Sequence, residues 1–266
     1  MNMMSSIISN LFVTTVGNPE TFWLPEQAST AAHSVDVTFA LINWICYFFF
    51  AVITFSLVYF SVKYRRTSHV MVTDGPTHNT TIEIVWTVFP LLLVIVIFVV
   101  GMRGYLDLME APEGCYEVQV TAQKWSWTFD HPTYGATEVA ELTVPLGVPV
   151  RLLMTSKDLL HSLWIPSFRV KMDVIPGRYT SLWFEATKLG VFQLNCTEYC
   201  GKDHSKMLAK VHVIPADEFE ARMVKLASEY EDMSIEQLPA YAINRLYNRW
   251  ISSSSFFGTK IKHALL

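Results

Sequence analysis

Phe39 to Val62 and Ile84 to Met102 are two apolar runs without a charged side chain. As α-helices, rising 1.5 Å per residue, they would measure roughly 36 and 28 Å, against about 30 Å for the hydrocarbon core of a bilayer. The pattern predicts a transmembrane hairpin over residues 36–104. A buried hairpin in a soluble all-α protein is the alternative, but two such runs in tandem are uncommon there. No Lys or Arg precedes Lys63, whereas Lys63, Arg65 and Arg66 follow the first run directly. Basic loops stay on the cytoplasmic side, so the 63–83 loop is expected inside and both termini outside. Residues 1–16 are apolar but lack the basic start of a cleavable secretory signal. Residues 1–35 are read as a short external segment, with Asn18, Pro19 and Pro25 marking irregular chain.

After the second run the pattern changes to short alternating stretches. Tyr116–Gln123, Glu138–Val144, Pro149–Met154 and Met207–Ile214 read as strands bounded by Pro, Gly or Asp. They predict a β-sandwich or small barrel over 105–215. In AQKWSWTFD, Trp125 and Trp127 stand two apart, which puts them on one face if the segment is a strand. From Ala216 the period becomes helical, with Phe219, Met223, Leu226 and Tyr230 three or four apart and Asp217 placed to cap the start. Pro239 breaks a second helical stretch ending near Trp250, and Ser252–Ser255 lead into a mildly basic end with Lys260 and Lys262. Residues 216–266 are thus a helical tail, packed on its own domain or a partner, or solvated.

With a net charge of −4 over 266 residues, binding of nucleic acid through a basic surface is not expected. A hydrophobic fraction of 51% against 17% charged supports the membrane reading. Cys46, inside the first run, and Cys115, just after the second, have no ligand-type neighbours and read as structural. No CxxCH pattern for c-type haem attachment occurs in these residues.

The chemistry concentrates in CTEYCGKDHSKM, where Cys196, Cys200, His204 and Met207 share one loop, with His161 upstream in DLLHSLWIP. Thiolate, imidazole and thioether donors together select a soft metal, copper above all. A disulfide is the common fate of a cysteine pair outside the cytoplasm. Structural zinc seldom recruits methionine, so Met207 speaks against it. A blue copper site needs one cysteine, and the second suggests two copper ions sharing both sulfurs.

This loop resembles the CuA-binding loop of cytochrome c oxidase subunit II. That family's pattern is Cys, three residues with Glu in the middle, Cys, three residues, His, two residues, Met, and every position is matched by Cys196, Glu198, Cys200, His204 and Met207, with His161 as the upstream histidine. The likeness runs from about His78 to Pro215 and includes KMDVIPGR at Lys171–Arg178. It implies an extracytoplasmic cupredoxin-like Greek-key β-barrel behind the hairpin, an overall membrane α plus all-β class. It implies two copper ions bridged by both cysteines, one completed by His161 and Met207, the other by His204 and the backbone carbonyl of Glu198. The Glu198 side chain would bind magnesium at the interface with subunit I, a role suited to hard oxygen.

The same resemblance makes Trp125 the point where electrons arrive from cytochrome c, although Lys124 and Ser126 replace the usual glutamine and tyrosine beside it. Glu83 would lie near the mouth of a proton path in subunit I, while locally it is an acid favoured by a helix start. Trp86 reads as an interfacial anchor. Asp130, Glu138, Glu141 and Asp158 are acids that could steer a basic cytochrome. The implied function is the electron-input subunit of a haem-copper terminal oxidase, with subunits I and III as partners, no catalytic residue in this chain, and oxygen reduction and proton translocation in subunit I. The expected location is a bacterial inner membrane with the copper domain outside, the mitochondrial inner membrane being the alternative. A CuA-containing nitric oxide reductase would share the layout. A quinol-oxidase subunit would have lost the ligands, a copper carrier would expose them, and nitrous oxide reductase would not need the spans.

Overall fold

The computed structural model describes residues 24–66, 75 and 78–232. The readings of residues 1–16, Asn18 and Pro19, residues 67–74 and 76–77 of the 63–83 loop, and everything beyond α3 lie outside them. The chain forms two units, one around residues 31–110 and one of residues from 111 onward joined by Ala28–Thr30.

In the first unit, α1 (Ala32–Lys63) and α2 (Thr80–Met109) enclose the two apolar runs. Both are long and apolar enough to cross a membrane, and their apolar side chains are exposed all round. That is the surface a lipid-facing helix presents, in contrast to the one-sided stripe of a helix on a soluble core. Helix α2 starts at Asn79, whose side chain accepts from the Ile82 N–H at 3.3 Å, while the Glu83 carboxylate accepts from the Asn79 N–H at 3.4 Å. This reciprocal cap satisfies backbone donors that the first turn leaves free.

The second unit is a cupredoxin-like sandwich of two five-stranded sheets. The strands are β1 (Tyr116–Gln123), β2 (Ser126–His131), β3 (Ala136–Val139), β4 (Glu141–Pro145), β5 (Pro149–Ser156), β6 (His161–Ile165), β7 (Val170–Val174), β8 (Thr180–Glu185), β9 (Gly190–Cys196) and β10 (Leu208–Ile214). One sheet runs β3-β2-β1-β5-β8 and the other β4-β10-β9-β6-β7, with β1·β5 and β10·β4 parallel and the remaining pairs antiparallel. Alternate residues such as Val118, Val120 and Ala122 on β1 and Val150, Leu152 and Met154 on β5 fill the space between the sheets with Trp127, Phe129, Leu163 and Val211.

The expected single strand Glu138–Val144 is two strands. Ala140 takes a left-handed conformation (φ 56°) that ends β3 in one sheet and lets the chain cross to β4 in the other. Near the N-terminus, Ala28–Thr30 is tied to the sandwich. Ala28 N–H donates to Ser167 O at 2.9 Å, Thr30 N–H to Glu185 O at 3.1 Å and the Ser29 hydroxyl to Phe168 O at 2.8 Å.

Helix α3 (Ala216–Asp232) packs on this domain. Phe219 and Met223 are buried against Ala136, Tyr116 and Tyr134, which selects the packed alternative for this part of the tail. Asp217 stands inside the first turn, not before it, so it complements the helix dipole instead of capping. Beneath α3 lies a buried polar cluster. Glu138 accepts from the Thr143 N–H at 2.6 Å, the Thr143 hydroxyl at 2.7 Å and Arg222 at 3.3 Å, and pairs with His131 at 3.2 Å. Burial raises the Glu138 carboxyl, but the His131 and Thr143 bonds outweigh it and hold it below its ordinary 4.5.

Candidate metal centre

Three neighbouring strands of one sheet bring the donors together. His161 opens β6, Cys196 closes β9 and Met207 immediately precedes β10. Since β9 pairs with β6 through Leu163↔Cys196 and with β10 through Leu208↔Asn195, these strand ends meet at one end of the sandwich. The Cys196 N–H donates to the Met207 carbonyl at 3.2 Å and the Thr197 N–H to the Ser162 carbonyl at 2.9 Å, so the loop is fastened at its roots. Gly201 (φ 120°) allows the turn after Cys200, and a single 3-10 turn, His204–Lys206, returns the chain to β10.

His161, Cys196 and Cys200 are buried and present donor atoms within 4.8 Å of one another. Both thiols are free, with their sulfurs 3.9 Å apart, far beyond the ~2.05 Å of a disulfide. Around Cys196 Sγ lie His161 Nδ1 at 3.9 Å and the Glu198 carbonyl oxygen at 3.4 Å. Around Cys200 Sγ lie Met207 Sδ at 3.8 Å and His204 Nδ1 at 3.4 Å. Burial pushes the Cys200 thiol up to about 11, and the Cys196 sulfur beside it adds to the effect. Burial of this kind is unfavourable for a free thiolate at Cys200 and suits a cation that displaces its proton. Six donors, one of them a thioether, are too many and too soft for a four-coordinate structural zinc.

A family model described as "Cytochrome C oxidase subunit II, transmembrane domain" matches residues 17–103, and one described as "Cytochrome C oxidase subunit II, periplasmic domain" matches residues 137–214. The chain belongs to the cytochrome c oxidase subunit II family. It is 32% identical over 177 residues to cytochrome c oxidase subunit 2 of Alkalihalophilus pseudofirmus, covering 64% of this chain and 52% of that one. It is 29% identical over 184 residues to cytochrome c oxidase subunit 2 of Cereibacter sphaeroides, covering 54% of this chain and 60% of that one. The chain thus spans about half the length of the curated relatives it matches. A crystal structure of the periplasmic domain of subunit II of Bradyrhizobium japonicum cytochrome oxidase aligns with a TM-score of 0.44 and 28% identity, covering 45% of this chain and 99% of that domain. As a subunit II family member, the chain is anchored by two membrane helices and carries an extracytoplasmic β-domain.

The other expected site residues of this family member fall in distinct places. Trp125 lies in the turn between β1 and β2, 36% exposed, and Trp127 is fully buried on β2, so the two do not share a face. The Trp125 indole covers Gly201, where a Cβ would meet its Cζ2 at 3.4 Å and Nε1 at 3.5 Å. Trp127 instead supports the site from below. Its Nε1 donates to the Met207 carbonyl at 3.4 Å, and its ring stands edge-on to His161 at 6.1 Å.

The Glu198 carboxylate is half-exposed, 3.9 Å from Lys171 Nζ. That ammonium also pairs with Asp173 at 2.9 Å and, with the Ser162 hydroxyl, lowers the Asp173 carboxyl. Glu83 caps α2 and lies in the other unit. Glu138, expected among the surface acids, is buried and 5% exposed, which removes it from any docking face. Asp158 is bound to His161 Nε2 at 2.8 Å. Partial burial raises the Asp158 carboxyl, but His161 and the N–H groups of Lys124 and Leu159 prevail and hold it at about 2. The D-x-x-H spacing of Asp158 and His161 was the available signal for this contact. Nothing in the sequence pointed to Trp127 as a support of Met207.

Proposed function

We propose that this chain is the electron-input subunit of a haem-copper terminal oxidase, accepting electrons from cytochrome c at a binuclear CuA centre and delivering them to haem in subunit I, for reduction of oxygen to water coupled to proton translocation. One observation carries the reading. Each cysteine sulfur touches one donor from each of two sets: Cys196 has His161 and the Glu198 carbonyl beside it, and Cys200 has Met207 and His204. If His161 and Met207 serve one ion, and His204 and the Glu198 carbonyl the other, both sulfurs stand between the two sets. That is what shared bridging requires, and a mononuclear site would not. Bound copper supplies reversible one-electron storage, favoured by soft sulfur donors.

The chain's own residues do the rest. The sheet holds His161, Cys196 and Met207 on strand ends, so little rearrangement accompanies a change of charge. Trp125 offers an exposed indole directly over the loop, suited to receiving an electron from cytochrome c. The Glu198 side chain, half-exposed and 3.9 Å from Lys171 Nζ, is an oxygen donor for magnesium at the subunit I boundary. Glu83, at the cytoplasmic start of α2, is proposed as the approach to a proton path in subunit I. Subunit III completes the complex. The membrane is proposed to be the bacterial inner membrane with the β-domain on the periplasmic side.

Replacing Cys196 by Ser in the assembled oxidase tests the reading. Loss of cytochrome c turnover with retained haem content is the expected result. Undiminished turnover in that variant would remove the proposed role.

A further inference from the structure

We propose that Asp158 is a positioning residue which, with a single carboxylate, orients the imidazole of His161 and anchors the backbone that carries Trp125. The functional consequence rests on the electron-input reading above, whereas the geometry stands without a metal. One oxygen, Oδ1, lies 2.8 Å from His161 Nε2. The other, Oδ2, accepts from the Lys124 N–H at 2.7 Å, one residue before Trp125. The carboxylate is itself fixed, because Oδ1 also accepts from the Leu159 N–H at 2.7 Å. Next to it, the Lys157 N–H donates to the Ala122 carbonyl at 3.0 Å, joining the same two loops a second time.

A carboxylate only accepts, so it holds the imidazole proton on Nε2 and leaves the Nδ1 lone pair facing Cys196 Sγ at 3.9 Å. Such outer contacts fix both the tautomer and the ring plane of a ligating histidine. The Lys124 bond holds the turn whose indole covers Gly201. A disturbance at Asp158 therefore reaches the ligand and the electron-accepting indole together. Both carboxylate oxygens are thus engaged by groups of the domain itself.

Asp158→Asn in the full chain in detergent tests this. An amide has a single acceptor oxygen and cannot serve His161 and Lys124 at once. In the metal-free protein with nitrogen-15 histidine, the His161 resonances are expected to leave the pure Nε2–H form, or the Lys124 amide to exchange faster, or both. Copper affinity is expected to fall about 10–100-fold. In the assembled oxidase kcat should fall with little change in KM, and Asp158→Glu, which keeps two acceptors, should restore the Nε2–H form. If the Asn variant does not fold, Asp158→Ala removes both acceptors and gives the same readouts.

An unchanged His161 tautomer together with unchanged Lys124 exchange overturns the proposal. So does an effect confined to KM that vanishes at high salt, which would make Asp158 a steering charge. Should the wild-type chain fail to take up two coppers while the tautomer still responds to Asp158→Asn, the electron-input reading fails and the positioning role stands.

Discussion

Replacing Glu138 by Gln probes the buried cluster that joins α3 to the sandwich. The native carboxylate faces the N–H and hydroxyl of Thr143, His131 Nε2 and Arg222, all within 3.3 Å. Glutamine keeps one acceptor oxygen and turns an NH2 toward the rest. The least costly arrangement leaves the oxygen on the Thr143 N–H and His131, and rotates the Thr143 hydroxyl to accept from the new NH2. Arg222 then loses its bond to residue 138 but keeps Glu141 at 3.7 Å, and because its side chain is 39% exposed, water replaces much of the lost contact. What remains is the loss of charge assistance to buried bonds and one poorly satisfied group, about 2 kcal/mol.

That loss corresponds to a fall in melting temperature of roughly 5–10 °C for a domain of this size. Arg222→Ala should cost less than about 1 kcal/mol. The assay is thermal unfolding of the full chain in detergent, followed by fluorescence of buried Trp127. Because the folded carboxyl is depressed, its contribution is present above pH 4.5 and is lost as pH falls below that value. The gap between wild type and Glu138→Gln should therefore close in acid. Equal melting of the two at pH 7, or a gap that persists well below pH 4.5, would refute this reasoning.

Other outcomes follow from the same structure. Phe219→Ala empties a cluster in which that ring meets Tyr116 at 5.2 Å and Tyr134 at 5.9 Å between centroids, and should cost about 3–5 kcal/mol, read as early proteolytic release of the chain after β10. Met207→Leu should leave copper bound and raise the midpoint potential, measured by redox titration, since the thioether tunes more than it holds. Gly201→Val should strain the turn after Cys200, whose φ of 120° a β-branched residue rarely adopts, and crowd the overlying Trp125 indole. Copper content should fall and stopped-flow oxidation of cytochrome c should slow.

Much of the architecture was legible because its pattern is local. The uncharged runs mark α1 and α2, and strict alternation locates β1 at Tyr116–Gln123 with no shift of boundary. Strands β6, β7, β8 and β9 escaped notice although VKMDV and the FQLNC of β9 do alternate, because each is a short run and HSLWI places a histidine on the buried face where alternation asks for an apolar residue. Some of their side chains serve the candidate site: His161 and Cys196 as proposed donors, Asp173 as a partner of Ser162 and Lys171. Ala140 hid the break between β3 and β4, since alanine does not advertise a left-handed turn as Gly or Asn does. The donor loop was legible from its spacing and soft chemistry. The Asp158 bridge to Lys124 was not, because it joins two loops 34 residues apart.

The central claim is that both sulfurs are shared between two copper ions. It is tested most directly by electron paramagnetic resonance of the full-length chain loaded with copper. One unpaired electron spread equally over two copper nuclei, lost when either Cys196 or Cys200 is replaced by Ser, is the predicted spectrum. A single-copper hyperfine pattern in the wild-type chain would contradict it.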